Sequence, residues 1–200
     1  MAPLTRSQTR QSKREDGVDQ CGMLPAFVTA PVPPMILDEL IDESWEGAYD
    51  LTSNQVPPSD CLCILTTENL DSIKHGSRKP MQPFESPFLG MTDEEVRTWF
   101  NEHPHPNFAC RTFSVLDRDT ARNKTCRIGN KDGNEEAGNK MITTDFYAST
   151  YTRIPLEAFV FRWFEDVESI ELQTGPGKVY TRKHIEKEKR EVAERVAQGL

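Results

Sequence analysis

The sequence predicts an α+β fold: a mixed, mostly antiparallel sheet of about four strands packed against helices, with a disordered N-terminal tail and a charged C-terminal helix. Three observations predict it. Residues 108–116 and 124–128 read as two strands joined by a compact polar connection, the arrangement of a hairpin. Residues 61–65 form a short, continuously apolar run bounded by turn residues, which fits a central strand covered on both faces. Between and around these lie stretches whose apolar residues recur at helical spacing, the one opened by Pro155 wide enough to lie on a sheet.

Each element has its own justification. Residues 1–22 are polar, with Arg6, Arg10, Lys13 and Arg14 followed by Glu15, Asp16 and Asp19, so little apolar surface offsets the entropy of ordering. Residues 25–34 are a proline-rich lead-in, extended rather than helical. Pro33 and Pro34 suit a helix entrance, where a missing N–H costs nothing. Leu37, Leu40, Ile41, Trp45 and Tyr49 then define an amphipathic helix, with acids on its other face and Gly47 weakening its last turn. Pro57 and Pro58 break the chain before the 61–65 strand. A short helix is expected over 68–74, and a loop over 75–89.

Thr92 and Glu95 have capping-box spacing, and Val96, Trp99 and Phe100 form the buried face of the helix they open. The hairpin strands follow. Residues 131–138 are a polar, Gly-bearing turn. Residues 141–151, rich in Thr and Tyr, favour a third strand in this region. Pro155 opens a helix with the stripe Leu156, Phe159, Val160, Trp163, Phe164 and Val167. The last helix, residues 181–198, has the sparse apolar set Ile185, Val192 and Val196. Glu186 with Arg190, and Glu191 with Arg195, are i,i+4 pairs. The chain thus divides into a tail (1–22), one α+β domain (23–178) and the charged helix (179–200).

Composition narrows the function classes. A net charge of −8 argues against a broad nucleic-acid surface, which needs clustered cations to displace phosphate counterions. No segment approaches the roughly 20 apolar residues of a membrane span, and no signal-peptide run opens the chain. Five cysteines without a framework spacing point to a reducing intracellular compartment. A cytoplasmic location is expected, or a nuclear one if the basic cluster is a localisation signal.

Three clusters are weighed for chemistry. Asp117 and Asp119 are hard oxygen donors, and Arg118 and Arg122 could clamp an anion. Such residues also dominate tight connections because their side chains bond nearby backbone, and no calcium-loop spacing is present. His103 and His105 share a face in an extended chain and could meet one metal, with a third ligand from Cys110, Asp117 or His75. The flanking prolines equally explain a helix exit. Cys61 and Cys63 would share a strand face and are expected to pack as core hydrophobes. With the hairpin turn centred near Thr120, Cys110 falls opposite Asn130, so a Cys110–Cys126 disulfide needs a shifted register. No Walker A loop, G-x-G-x-x-G or G-x-S-x-G occurs.

Val115, Leu116 and Asp117, the connection Thr120, Ala121, Arg122, Asn123, Lys124 and Thr125, and the helical Ala158, Phe159, Val160, Phe161 and Arg162 together resemble small α+β domains of unknown role from fungal genomes. The resemblance spans residues 60–172. It implies a similar mixed-sheet fold and carries over no site residue.

The expected function is therefore a non-catalytic, soluble, intracellular binding or scaffolding domain that uses no cofactor, with a protein partner engaged through the C-terminal helix. The alternative is a small metal-assisted enzyme whose candidate polar cluster is His103, His105, Asp117, Asp119 and Arg122.

Overall fold

A computed structural model describes residues 22–51, 61–109, 111–131, 141–153 and 178–198. Its element order is β1 (Leu24–Val28), α1 (Pro34–Leu51), β2 (Leu62–Ile64), α2 (Asp93–Glu102), β3 (Thr112–Leu116), the single turn α3 (Thr120–Asn123), β4 (Thr125–Asn130), β5 (Ile142–Asp145), a 3-10 helix (Tyr147–Arg153) and α4 (Arg182–Ala197). The strands form one mixed sheet in the order β2-β1-β3-β4-β5. The α+β class holds, with five strands instead of four. Two pairings, β1 with β2 and β1 with β3, are parallel, and two, β3 with β4 and β4 with β5, are antiparallel.

The unexpected strand is β1, inside the proline-rich lead-in. All five of its residues are buried. Leu24 N–H donates to Cys61 O and Ala26 O accepts from Leu65 N–H, so the even residues face β2. Pro25 therefore turns its nitrogen toward the β3 side, ahead of the point where the β1–β3 register opens at Ala26 and Ser114. A proline at the start of a ladder removes no bond from its middle.

Side-chain alternation along β1 divides the core into two layers. Leu24, Ala26 and Val28 pack with Ile36, Leu37, Leu40 and Ile41 of α1. Met23 and Phe27 pack with Val96 and Phe100 of α2. The two helices thus lie on opposite faces of the sheet. In the second layer Phe27 meets Phe88, Trp99, Phe100 and Phe113 edge-on, with centroids 4.9–6.5 Å apart. Each such pair contributes about 0.5–1.5 kcal/mol beyond its buried area.

The capping box at Thr92 and Glu95 forms as expected, and its hydrogen bonds hold the Glu95 carboxyl below the usual range. Arg97, beside the face of Val96, Trp99 and Phe100, is buried as well. Its Nε donates to Asn130 O at 2.9 Å, its Nη1 pairs with Glu94 at 3.0 Å, and its guanidinium lies over Phe113. The charge is thereby paired where burial would otherwise be costly. In α1, Gly47 does more than weaken a turn. A Cβ there would lie 1.9 Å from Tyr147 O, so glycine permits the close approach of helix and 3-10 segment.

Both sheet edges are covered by passing chain, which limits edge-to-edge pairing. β2 is an edge strand, not a central one, although both its faces are buried. Ser77 stands in for a neighbouring strand: its N–H donates to Leu62 O, and its Oγ accepts from Ile64 N–H at 2.8 Å. At the other edge Tyr180 N–H donates to Thr143 O, and Asp145 N–H donates to Tyr180 O.

Other expectations are corrected. Residues 68–74 form no helix. Thr67 Oγ1 accepts from Asn69 N–H and Asn69 Oδ1 from Asp71 N–H, and such local bonds compete with helical ones. The third strand of the region stops at Asp145, whose carboxylate takes Ala148 N–H and starts the 3-10 turn. The hairpin register sets Thr112, not Cys110, opposite Asn130. The helical turn α3 and the left-handed Lys124 (φ 55°) lengthen the connection. An offset of two leaves every side chain on its expected face. Cys61 precedes β2 and bonds Ser44 O on the α1 side, whereas Cys63 packs in the α2 layer, so the two thiols do not share a face. On α4, Glu186 pairs with Arg182 and Glu191 with Lys187. Residues 1–21 of the expected tail, residues 132–138 of the expected turn, Cys110 and the helix expected from Pro155 lie outside the described residues.

Candidate functional site

The chain leaves β1 toward α1 on one face and returns through α2 on the other. The carboxyl end of β1 is therefore the point where the winding changes side, and crevices outside strand carboxyl ends at such points are the usual ligand positions of α/β sheets. A crevice of about 420 Å³ lies there.

One wall is the β1–α1 connection, with Val28, Ala30, Pro31, Val32, Pro33 and Pro34. Thr29 pins its base, donating through N–H and Oγ1 to Leu116 O at 2.8 and 3.3 Å. The other wall is the segment before α2, with Pro83, Phe84, Glu85, Ser86 and Leu89. This segment is anchored from inside. Phe88 is fully buried and packs edge-on against Phe27 and Trp99. Ser86 Oγ accepts from Phe88 N–H and Ser86 O from Leu89 N–H, folding the turn. Gly90, with φ +82°, reverses the chain so that its N–H reaches Thr29 O at 2.9 Å. Asp38 of α1 accepts from Met81 N–H at 2.8 Å and holds the far end. Both walls are thus held by hydrogen bonds and core packing, as expected of a preformed pocket.

The residues singled out from sequence lie elsewhere. Asp117 and Asp119 are at the carboxyl end of β3, with Arg122 on α3. Asp117 N–H donates to the buried Thr120 Oγ1 at 2.9 Å, and Asp117 Oδ1 accepts from Asp119 N–H at 2.8 Å. Arg122 pairs with Asp119 at 2.6 Å. Arg127 of β4 sits 2.7 Å from Asp117 Oδ2 through Nε, in an alignment poor for a hydrogen bond, and bonds Asp93 at the start of α2. Asp117, Asp119 and Arg122 are thus engaged by nearby backbone and by two ion pairs, while Arg118 is exposed.

His103 and His105 precede β3. His103 stacks on Trp99 at 4.1 Å with Nδ1 2.7 Å from Trp99 O, and His105 packs on Phe108 while its Nδ1 accepts from Asn107 N–H. The five residues of β3 span roughly 17 Å at ~3.3 Å per residue, so the histidines and aspartates stand at opposite ends of the strand. Among the described residues no group of three or more His, Cys, Asp and Glu is placed to hold a metal ion. Cys63 and Cys126 are free and buried, and burial pushes the Cys63 thiol up to about 12 and the Cys126 thiol up to about 11. Neither forms the thiolate a nucleophile requires at neutral pH.

A second polar group gathers where α4 docks. Arg182 pairs with Glu46 and Glu186 and lies over the Tyr147 ring at 4.5 Å. Tyr147 OH donates to Asp50 at 2.7 Å. Burial, then the Asp50 carboxylate, raises its pKa. Burial, with Asp145 and Glu46 nearby, raises that of Glu43. Ile185 and Tyr180 complete the apolar seat. Beyond this first turn the described side chains of α4 are exposed, Val196 at 71%.

The crevice residues were passed over because they sit in segments that read as lead-in and loop. The signal that finds them is topological: a strand at residues 24–28 ahead of the 34–51 helix implies a crevice at that strand's end. Among the described residues no helix is long and apolar enough to cross a membrane. No protein-family model, curated protein or solved structure matches the chain.

Proposed function

We propose that this chain is a non-catalytic binding domain that receives its ligand in the crevice at the carboxyl end of β1. The observation that carries this reading is an apolar concavity of about 420 Å³ at the switch point of the sheet. Its size and lining fall within the range of small-molecule pockets. The polar turn at Asp117 and the buried thiols support the non-catalytic side, since their groups are already engaged or protonated. In this reading the domain works in the cytoplasm, or in the nucleus if the basic cluster of residues 6–14 is a localisation signal.

A neutral apolar probe, 2-naphthylmethanol, tests the crevice by saturation-transfer NMR on the full chain. Val32→Asp and Leu89→Asp are expected to weaken binding tenfold or more, because a carboxylate in an apolar lining must be desolvated. Unchanged binding in both variants would overturn the reading.

The exposed run of α4 favours a second role, scaffolding through a protein partner. A pull-down comparing the full chain with one ending at residue 190 checks it; an identical partner set removes the helix from the account.

A further inference from the structure

We infer that the crevice selects apolar organic cations and rejects phosphate-bearing ligands, an inference that rests on the crevice being the binding site. Switch-point crevices commonly hold phosphates because a helix N-terminus offers backbone N–H donors there. Here the start of α1 offers few of those donors. Pro31, Pro33, Pro34 and Pro83 have no N–H to give. The N–H groups of Ile36 and Leu37 both point to Pro33 O, at 2.9 and 3.3 Å.

What the lining offers instead is a carboxylate and an aromatic face. Glu85 is exposed at the rim and is the one charged residue among the described residues lining the crevice. Among the described residues it has no ion-pair partner. Its neighbour Phe84 is half-buried and packs on the α1 layer. A ring beside a carboxylate suits an ammonium group, which is attracted to both. The net charge of −8 adds a field that opposes anions. The ligand class is then an apolar body of roughly bicyclic size, seated among the proline rings, with its cationic end toward Glu85.

The test titrates the full chain with a matched pair, 2-naphthylmethylammonium and 2-naphthoate, and with ADP. The ammonium is expected to bind about tenfold more tightly than the carboxylate, since near Glu85 one gains what the other loses. The preference should shrink as sodium chloride rises from about 50 to 500 mM. ADP should not compete with 2-naphthylmethanol. Glu85→Gln should remove most of the preference between the two naphthyl probes, while Glu85→Asp should keep it. Equal or tighter naphthoate binding in the unmodified chain, or competition by ADP, would overturn the inference and leave the crevice reading standing. Failure of all naphthyl probes to bind would overturn the crevice reading itself.

Discussion

Two regions at the carboxyl edge of the parallel strands invite comparison. The Asp117–Asn123 connection is dense in acids, bases and hydroxyls, and Asp117, Asp119, Thr120 and Arg122 are spent on one another. Thr120 satisfies Asp117 N–H, Asp117 satisfies Asp119 N–H, Asp119 holds Arg122, and Arg127 ties Asp117 to Asp93. The crevice beside β1 is poor in such groups, yet it is concave, apolar and walled by segments fastened elsewhere. The difference teaches that polar density is a weak sign of function when hydrogen-bonding capacity is saturated. An apolar concavity that the fold holds open is the stronger sign.

Four substitutions can break or sharpen this comparison, beginning with the largest expected effect. Phe88→Ala removes a fully buried ring from the aromatic layer and should cost about 3–5 kcal/mol in urea unfolding, with loss of naphthylmethanol binding as the crevice wall loosens. A loss below about 1 kcal/mol would mean the wall is not anchored there. Thr120→Val keeps the volume but leaves Asp117 N–H without its acceptor, for roughly 1–3 kcal/mol, and should leave probe binding unchanged. Arg127→Ala uncouples two carboxylates, Asp93 and Asp117, that are 31% and 23% exposed. With solvent screening the expected cost is about 1 kcal/mol, read from the unfolding midpoint, again with binding intact. Arg122→Ala, at a side chain 75% exposed, should stay within about 0.5 kcal/mol of the parent. A binding defect in a well-folded Thr120, Arg127 or Arg122 variant would return function to the polar connection.

What the sequence made legible was what local chemistry specifies. The 34–51 helix, the capping box at Thr92 and Glu95 and the hairpin pairing of β3 with β4 all rest on spacing within a few residues. β1 was hidden because a strand buried on both faces has no period-two pattern, and Pro25, Pro31, Pro33 and Pro34 read as a linker. The edge placement of β2 was hidden because Ser77, an unremarked loop residue, covers it. The burial of Arg97 was hidden because its partners, Asn130 O and the Phe113 ring, come from the hairpin. The candidate polar residues were found, but their self-sufficiency depends on atoms meeting across β3, β4 and α2. The crevice needed the strand order before it could be located at all.

The central claim is that ligand enters beside β1 and not at the Asp117 turn. Amide chemical-shift mapping with 2-naphthylmethylammonium tests it most directly. The account predicts shifts at Val28, Ala30, Val32, Phe84, Glu85 and Leu89, with residues 117–124 unmoved. Shifts concentrated on residues 117–124, or none at the crevice amides at saturating probe, would contradict it.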